Sequence, residues 1–533
     1  MRNPPTWMKD YVTGESLDSS EDEDLALIIS SDPLHYKEAV TDANWRLAMD
    51  NEIKSIEKNK TWTLVTLPAA VKKIGVKWIY KTKYNEHGEF EKHKARLVAK
   101  GYTQKHGIDY TEVYAPVARI ETVRMIVALA AQRNWNIFQM DVKSAFLHGE
   151  LNEDVYVEQP KGYEIKGNED KVYKLHKALY GLKQAPRAWF SRMENYFINE
   201  GFDKCPNEQT LFTKRSKEGK MLIASVYVDD LIYTGDDEGM MSNFKCSIMQ
   251  VFEMIDLGKM KFFLGIEVSQ QSDGIFICQK KYALEILKRF GMIESREVSS
   301  PIVPGSKLSK DADGVAVDES FYKQIVGSLM YLTSTRPDLV YSVSLISRYM
   351  ARPTDLHLQA AKRILRYLKG TVDYGIMYKK GSLNDLVAYT DNDYAGDLND
   401  RKSTSGYIFL LSSGAVSWIS KKQPIVTLST TEAEFVAAAG CASQGLHTNE
   451  MSRKPDTWEP TFTRNYVDDI KPCIIATLAF SCLHSNPKSR PSMKFVSQEF
   501  LCPKRSLAGL EISLLELRTL GMYANGGDIT VPS

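Results

Sequence analysis

Residues 221–235 read MLIASVYVDDLIYTG, so that two short apolar runs flank the pair Asp229 and Asp230. This pattern predicts a strand, a tight turn without glycine and a second strand, with both acids at the tip. Adjacent carboxylates beside buried strands repel each other and lose hydration, at a cost on the order of several kcal/mol per buried ion unless positive charge compensates. An Asp-Asp pair alone is more often a surface turn, but the apolar flanks favour a site that binds cations.

A third carboxylate comes from the run NIFQMDVKSAFLHGEL at 136–151, where Asp141 ends an apolar segment. Mg²⁺ prefers oxygen ligands and keeps several waters, so Asp side chains that converge from separate strands suit it. Two such ions about 3.5–4 Å apart can activate an attacking oxygen and stabilise a leaving one. We therefore predict that Asp141, Asp229 and Asp230 bind two ions of Mg²⁺ or Mn²⁺. The alternative role for Asp141 is a helix N-cap.

The 533 residues, of which 43% are hydrophobic and 25% charged, predict roughly two to four globular units. A formal net charge of +1 argues against a nucleic-acid coat protein that is basic throughout. Ten Lys and Arg against three Glu nevertheless lie between Lys72 and Lys105, where KWIYKTKY (77–84) and ARLVAKGY (95–102) predict two strands. A basic strand pair can track phosphates, although a solvated face explains such a run equally well.

Strands and helices follow one another without regular βαβ alternation, which predicts an α+β fold. A helical pattern begins at Tyr36, with apolar residues on one side up to Ile56. After Pro301 the pattern becomes helical over 322–333 and 356–369. At Leu386 a strand-rich pattern begins and predicts a second domain.

Seven cysteines lie far apart, without a CxxC pair or a histidine at zinc-binding spacing. They predict reduced thiols in an intracellular protein. The chain does not open on a signal segment, and no apolar run approaches the roughly 18 residues that a spanning helix needs. We therefore expect neither secretion nor a membrane partner.

Seven runs of sequence, taken together and in order, carry a specific family resemblance. They are KARLVAKGYTQ (94–104), YAPVAR (114–119), QMDVKSAFLHGEL (139–151), VYVEQPKGY (155–163), LYGLKQAPRAWF (179–190), YVDDLIYTG (227–235) and FFLGIEV (262–268). Through them the chain resembles the reverse transcriptase of copia-type long-terminal-repeat retrotransposons from Tyr36 to Gln444.

The resemblance implies a right-hand polymerase, with fingers and palm over 36–300 and thumb or connection helices over 301–385. Asp141 and Asp229 would be the principal ligands of both metal ions, with Asp230 secondary. A DNA primer 3′-hydroxyl would attack the α-phosphate of a deoxynucleotide opposite an RNA template. The family copies RNA in cytoplasmic particles before DNA enters the nucleus, which implies an intracellular location. The oligomeric state stays open.

The resemblance also assigns nucleotide contacts. Phe146 would exclude a ribose 2′-hydroxyl, Arg96 would bind the triphosphate through its bidentate fork, and Gln184 would contact the incoming nucleotide. Their alternative roles are core packing, a surface charge and a loop position. The run FFLGIEV resembles a hairpin that grips the primer, through Phe262, Phe263, Leu264 and Gly265. An ordinary core strand is its alternative.

Residues 386–444 resemble the start of the family's ribonuclease H domain, an α/β unit that uses four carboxylates on two metal ions. Asp391 matches the first metal-binding Asp and Glu434 matches the catalytic Glu. The other two carboxylates belong downstream, where the resemblance stops. We therefore predict a partial domain without ribonuclease H activity.

Both ends of the chain differ from its middle. Residues 10–32 hold eight Asp and Glu and no Lys or Arg, which predicts a disordered acidic leader over 1–35. The tail, 445–533, contains CLHSNPKSRPSM, which resembles the last helices of a plant receptor-like kinase around a buried arginine, here Arg490. Kinase catalytic signatures are absent from the sequence, so we predict an inactive, partly disordered helical tail of foreign origin.

A second YVDD occurs at 466–469, but apolar strands do not flank it, so Asp468 and Asp469 are predicted to begin a helix. The leading hypothesis is therefore an RNA-directed DNA polymerase centred on 227–230, from a fragment of a longer polyprotein. The alternatives are a non-catalytic remnant that binds nucleic acid and, more weakly, a kinase-related interaction module.

Overall fold

The computed structural model describes residues 32–452 except 70, 85–89, 304, 306, 312, 382–385 and 412, and only the helical backbone of 446–452. The predicted leader up to residue 31 lies outside these residues. The predicted tail from 453 onwards, including Arg490, Asp468 and Asp469, lies outside them as well. Within the described part of the chain, helices and strands are mixed, as the α+β prediction requires.

The secondary structure is as follows. The α-helices are α1 (Tyr36–Ala39), α2 (Ala43–Lys58), α3 (Ile120–Arg133), α4 (Ala185–Asn199), α5 (Glu238–Val251), α6 (Lys280–Arg289), α7 (Glu319–Leu332), α8 (Val340–Ser347), α9 (Asp355–Lys369) and α10 (Thr430–Ser452). The strands are β1 (Trp62–Val65), β2 (Val76–Tyr84), β3 (Phe90–Ala99), β4 (Ile137–Val142), β5 (Glu150–Val157), β6 (Val172–Lys177), β7 (Asp203–Lys204), β8 (Leu211–Arg215), β9 (Met221–Tyr227), β10 (Asp230–Gly235), β11 (Met254–Lys259), β12 (Phe262–Phe263), β13 (Ile266–Gln271), β14 (Gly274–Cys278), β15 (Gly375–Lys379), β16 (Leu386–Asn392), β17 (Thr404–Leu411) and β18 (Gly414–Lys422).

A six-stranded antiparallel sheet, in the order β11-β4-β10-β9-β8-β7, forms the centre of the molecule. Alternate residues of each strand point to opposite faces, and both faces are covered. One face packs on α3, and the other packs on α4 and α5. Burial on both sides explains why the segment MLIASVY is apolar almost throughout, since each of its first six residues is buried.

A separate unit is built from α2, the antiparallel ribbon β2–β3 and the small sheet β1-β6-β5. The predicted apolar side of α2 is confirmed, because Trp45, Met49, Ile53 and Ile56 are buried. Strand β3 ends at Ala99, earlier than predicted. The chain then makes a single 3-10 turn at Gly101, whose backbone approaches the Gly181 carbonyl so closely that any side chain would clash.

Helices α6 to α9 share one core, and the helices predicted over 322–333 and 356–369 correspond to α7 and α9. Helix α7 begins where the Asp318 carboxylate accepts hydrogen bonds from two backbone amides, which satisfies donors that the first turn leaves free. Helix α8 was not predicted. None of the helices in the described residues is long and apolar enough to cross a membrane.

A three-stranded sheet, β16-β17-β18, begins at Leu386 as the sequence pattern predicts, and α10 packs on β16 and β17. Arg124 of α3 ties this sheet to the rest of the molecule. Its guanidinium donates to the Val416 carbonyl at 2.7 Å and to the Ser334 carbonyl at 2.9 Å, and it lies 3.8 Å from the centre of the Trp418 ring. These contacts fix the sheet against α3 and the end of α7.

Candidate active site

The hairpin predicted at 221–235 is present, with β9 and β10 joined by the two residues Val228 and Asp229, which we call the hairpin tip. Tyr227 pairs with Asp230 on either side of it. The tip lacks glycine, yet Val228 has a positive φ of 54°. The backbone amide of Val142 in β4 donates to the Asp229 carbonyl at 2.8 Å and so attaches the tip to the next strand.

The register of the central sheet brings the predicted acids together. Asp141 of β4 lies directly opposite Asp230 of β10. Asp141 and Asp229 line a cavity of about 380 Å³, which we call the carboxylate cavity. Asp230 does not line it, and its Oδ1 accepts a hydrogen bond from Gln139 Nε2 at 3.1 Å. Asp141 and Asp229 therefore reach the cavity, whereas Asp230 lies behind them.

Burial and mutual repulsion act on these acids. Burial raises the pKa of Asp141, the Asp229 charge raises it further, and the nearby cations Lys94 and Arg96 oppose the rise without cancelling it. Burial, followed by the Asp229 charge, raises the pKa of Asp230 to about 6. A bound cation stabilises the ionised form of carboxyl groups whose pKa is raised in this way, and a cation site requires this property.

A divalent ion fits the donors present. Among the residues that the structure describes, no group of three or more Asp, Glu, His or Cys side chains is close enough to hold a metal ion. Asp141 and Asp229 therefore supply a pair of carboxylates. Mg²⁺ commonly binds through one or two carboxylates and takes its remaining ligands from water and substrate phosphates, so this pair suits it.

The ribbon β2–β3 supplies positive charge opposite the acids. Directly paired residues share a face, and one face of the ribbon carries a set of cations that we call the basic face: Lys81, Lys83, Lys92, Lys94 and Arg96. Lys92, Lys94 and Arg96 line the carboxylate cavity. Burial, followed by the charge of Arg96, lowers the pKa of Lys94. Of this set, the sequence had singled out Arg96 alone, although the alternation K-x-K-x-R could have identified Lys94.

Phe146 also lines the carboxylate cavity, from a short 3-10 helix that follows β4. Its ring centre lies 5.4 Å from that of Tyr180, and the Arg96 guanidinium lies 4.9 Å from the centre of the same Tyr180 ring. Tyr180 thus connects the aromatic wall of the cavity to the basic face. Phe146 also packs against two hydrophobic cores, so its position is well fixed.

Gln184 lies elsewhere. It is only 3% exposed, its Oε1 accepts from Gln104 Nε2 at 3.0 Å, and its Nε2 donates to the Asp109 carbonyl at 3.0 Å. It does not line the carboxylate cavity. Its contact with an incoming nucleotide therefore stays a prediction, while its present bonds fix the loop at 104–109 to the start of α4.

The run 262–265 comprises strand β12, Phe262–Phe263, and the two-residue turn 264–265 that leads into β13, rather than one continuous strand. Phe263 is buried and its ring lies 6.4 Å from that of Tyr227, next to the hairpin tip, whereas Phe262 is exposed. Leu264 and Gly265 both have positive φ, and the Tyr331 hydroxyl of α7 donates to the Leu264 carbonyl. The turn therefore links the hairpin β9–β10 to the helices α6 to α9.

The two acids predicted for a ribonuclease H site lie on different elements. Asp391 is exposed on β16 and lines a groove of about 540 Å³, which we call the aromatic groove because Tyr341, Tyr389, Tyr407 and Trp418 also line it. Glu434 is exposed on α10 and does not line this groove. Their roles as metal ligands stay predictions.

Known proteins resemble the chain over most of the described region. A family model for "Reverse transcriptase (RNA-dependent DNA polymerase)" matches residues 59–304. The retrovirus-related Pol polyprotein from transposon RE1 of Arabidopsis thaliana is 43% identical over 422 residues, or 79% of this chain and 29% of that protein. The corresponding polyprotein from transposon TNT 1-94 of Nicotiana tabacum is 41% identical over 400 residues, or 73% of this chain and 30% of that protein.

A transposon Ty5-1 protein of Saccharomyces cerevisiae is 34% identical over 303 residues, which are 56% of this chain and 98% of that protein. The chain thus spans less than a third of the plant polyproteins and nearly all of the yeast protein. The matched segment 59–304 contains the hairpin tip, Asp141 and the whole basic face. The chain belongs to the reverse transcriptase (RNA-dependent DNA polymerase) family of copia-type retrotransposon Pol polyproteins.

Proposed function

We propose that this chain copies an RNA template into DNA by extending a DNA primer with deoxynucleotides, at the carboxylate cavity. The observation that carries the proposal is the meeting of two acids, Asp141 and Asp229, with Lys94 and Arg96 around one space of about 380 Å³. In this proposal the central sheet is the palm, α2 with the ribbon β2–β3 belongs to the fingers, and α6 to α9 form the thumb.

Asp141 and Asp229 would hold two ions of Mg²⁺ or Mn²⁺, with Asp230 behind them. When bound, these ions supply the positive charge that favours an ionised primer 3′-hydroxyl and a departing pyrophosphate. The hydroxyl oxygen forms a bond to the α-phosphorus as the bond from that phosphorus to the pyrophosphate breaks. The protein acts by positioning and electrostatics and forms no covalent bond to the nucleotide.

The basic face binds the triphosphate in this arrangement. Arg96 presents a planar fork that matches two phosphate oxygens, and Lys94 adds a point charge from the same wall of the cavity. Both cations also oppose the raised pKa of Asp141. The triphosphate would therefore lie between the cations of the ribbon and the acids of the sheet that would hold the metal ions.

Phe146 selects the sugar. Its ring lines the cavity beside the acids and is held by Tyr180 and by two hydrophobic cores. A fixed ring beneath the nucleotide sugar leaves no room for a 2′-hydroxyl, so deoxynucleotides are preferred. The hairpin of β12 and β13, through 262–265, contacts the primer end in this proposal, which the position of Phe263 next to Tyr227 at the base of the hairpin tip supports.

We propose that ribonuclease H activity is absent from this chain and that polymerisation occurs inside the cell, in cytoplasmic particles. The first part is supported by the exposure of both acids, Asp391 on β16 and Glu434 on α10. The resemblance to a four-carboxylate site covers only these two acids, which would leave bound metal ions without half of their protein ligands. Release of RNA fragments from an RNA–DNA hybrid, with loss on Asp391→Asn, would contradict this part.

Primer extension on poly(rA)/oligo(dT) with Mg²⁺ or Mn²⁺ tests the main proposal. We expect Asp229→Asn to slow incorporation at least about 10³-fold, because it removes one of the charges that bind the metal ions. Asp468→Asn, in the second YVDD, is the matched control and is expected to equal the wild type. Equal incorporation by the wild type and Asp229→Asn would refute the site, and hybrid binding without extension by the wild type would indicate a non-catalytic remnant.

A further inference from the structure

The hairpin tip has an unusual backbone for its sequence. The connection between Tyr227 and Asp230 contains two residues, and among them only the first, Val228, has a positive φ. That pattern is typical of a type II′ turn, whose first central position is normally glycine. A β-branched residue in this region of φ is a rare and strained conformation that persists only when its surroundings hold it.

Trp189 of α4 holds this conformation from outside the hairpin. Its indole Nε1–H donates to the Val228 carbonyl at 2.5 Å, across a sequence separation of 39 residues. The ring is 2% exposed, and the Phe252 ring packs edge-on against it at 5.4 Å and 85°. The indole is therefore fixed by packing, and its single donor is directed at the strained residue.

The two carbonyls of the hairpin tip are thus anchored on different elements. The Val228 carbonyl accepts from Trp189 of α4, and the Asp229 carbonyl accepts from the Val142 amide of β4. The Val142 amide directly follows Asp141, so the second bond also fixes the two acids relative to each other. Loss of the first bond leaves Val228 free to relax to negative φ, which rotates the peptide that precedes Asp229.

We propose that Trp189 is a positioning residue for Asp229, which holds Val228 in its left-handed conformation so that the Asp229 carboxylate stays beside Asp141 in the carboxylate cavity. The inference rests on the proposed polymerase function for its catalytic consequence, but not for its effect on the geometry of the acids. Trp189 belongs to the run LYGLKQAPRAWF, which carries the family resemblance but does not by itself indicate a role for this residue.

Trp189→Phe keeps an aromatic ring and removes the donor. We expect it to lower kcat for dTTP incorporation on poly(rA)/oligo(dT) about 10- to 100-fold, with KM for dTTP within about twofold, because misplacement of a reacting group affects chemistry more than binding. Adding Val228→Gly is expected to restore most of kcat, because glycine adopts positive φ without strain. Trp78→Phe is the matched control, since the Trp78 indole also donates to a backbone carbonyl, that of Lys161, away from the cavity.

Mn²⁺ binding, measured by electron paramagnetic resonance without nucleic acid, gives a readout independent of catalysis. We expect Trp189→Phe to weaken binding about 10-fold, as loss of a support for a metal ligand does, and Trp189→Phe/Val228→Gly to regain it. If the wild type binds Mn²⁺ but does not polymerise, the proposed function fails while this readout still decides the role of Trp189. Wild-type kcat and Mn²⁺ affinity in Trp189→Phe would overturn the inference.

A second variant separates the hydrogen bond from folding. β-(3-Benzothienyl)alanine at position 189 retains the bicyclic ring and lacks the N–H, so the packing against Phe252 is preserved if Trp189→Phe fails to fold. The same loss of kcat and Mn²⁺ affinity at an unchanged melting temperature supports the inference. A loss that Val228→Gly does not reverse in either background would show a purely structural role and overturn it.

Discussion

The carboxylate cavity and the loop around Asp397 place buried acids in opposite electrostatic settings. In the cavity, burial and then the Asp229 charge raise the pKa of Asp141, and the nearby cations do not cancel this effect. Burial alone would also raise the pKa of Asp397, whose side chain is 2% exposed. There, however, Lys422 at 3.0 Å and two backbone amides hold the pKa well below its usual value. Arg348 also forms an ion pair with Asp397 at 3.2 Å.

The difference separates an acid whose charge the fold neutralises from acids whose ionised form the fold leaves unfavourable. Asp397 carries its own counter-charges, so its ionised form stabilises the native chain. Asp141 and Asp230 are ionised at a cost to the native chain, and a bound cation would relieve that cost. Sequence alone shows Asp in both places. The sign of the pKa change separates a structural carboxylate from a candidate metal ligand.

The largest expected effect on stability comes from replacing Asp397, the structural carboxylate of this comparison. Asp397→Asn leaves Lys422 and Arg348 without their buried counter-charge and should destabilise the chain by about 3 kcal/mol. Urea unfolding at pH 7.5 measures this change. Asp400→Asn is the matched control, since its carboxylate is 39% exposed and also contacts Lys422, and it should cost less than about 1 kcal/mol. Equal losses in both variants would contradict the account.

The pH dependence of the same pair has a definite sign. The pKa of Asp397 is lower in the folded chain than in the unfolded chain, so its stabilisation is present above about pH 4 and declines as the pH falls below that value. The difference in unfolding free energy between the wild type and Asp397→Asn should therefore become smaller as the pH falls below about 4. A difference that stays constant from pH 7 to pH 3 would contradict this assignment.

Arg96 tests the cationic wall of the carboxylate cavity. Arg96→Ala should lower kcat/KM for dTTP about 10²-fold, because it removes a bidentate phosphate ligand from the basic face, and Arg96→Lys should recover only part of the loss. Steady-state primer extension measures both. Arg215→Ala, at the exposed end of β8, is the control and should behave as the wild type. Equal activity in Arg96→Ala and Arg215→Ala would remove Arg96 from the site.

Substitution of Asp230 by Asn should change the unfolding free energy in the opposite direction to the same substitution at Asp397. The Asp230 pKa of about 6 means that its ionisation destabilises the folded chain as the pH rises from about 4 to above 6. In EDTA at pH 7.5, Asp230→Asn should therefore raise the unfolding free energy by about 1–2 kcal/mol, while at pH 4 it should have little effect. Asp154→Asn, at an exposed side chain, should change neither. Destabilisation by Asp230→Asn at pH 7.5 would show that the carboxylate is already compensated.

Phe146 offers a smaller test, on the uncharged wall of the cavity. Phe146→Val opens space beneath the sugar and should raise incorporation of UTP relative to dTTP about 10-fold, in line with what steric exclusion in a pocket supplies. Competition between the two nucleotides on one primer gives the ratio directly. A ratio unchanged from the wild type would indicate that Phe146 serves only the two cores it contacts.

Local pattern was sufficient to predict much of the site. The alternation and apolar flanks of 221–235 predicted the hairpin, and Asp141 was identified because a third acid had to end a neighbouring apolar segment. The apolar side of α2 followed from its helical spacing. In each case the signal lies within a single stretch of chain, where the period of burial is set by the element itself.

Contacts between distant segments were not predictable in this way. The bond from Trp189 to Val228 and the positive φ of Val228 depend on how α4 packs against the central sheet. The burial of Gln184 depends on its bonds to Gln104 and to the loop at Asp109. The sequence showed Lys94 only as one cation in a basic run. Its position beside Asp141 and Asp229 follows from the three-dimensional structure.

A single reaction on a hybrid of labelled RNA template and DNA primer tests the central contrast most directly. Wild type, Asp229→Asn and Asp391→Asn are incubated with dTTP and Mg²⁺, and primer and RNA lengths are read from the same samples. We predict extension by the wild type and Asp391→Asn within twofold of each other, loss of extension in Asp229→Asn, and intact RNA throughout. Extension by Asp229→Asn, or RNA cleavage that Asp391→Asn abolishes, would contradict the account.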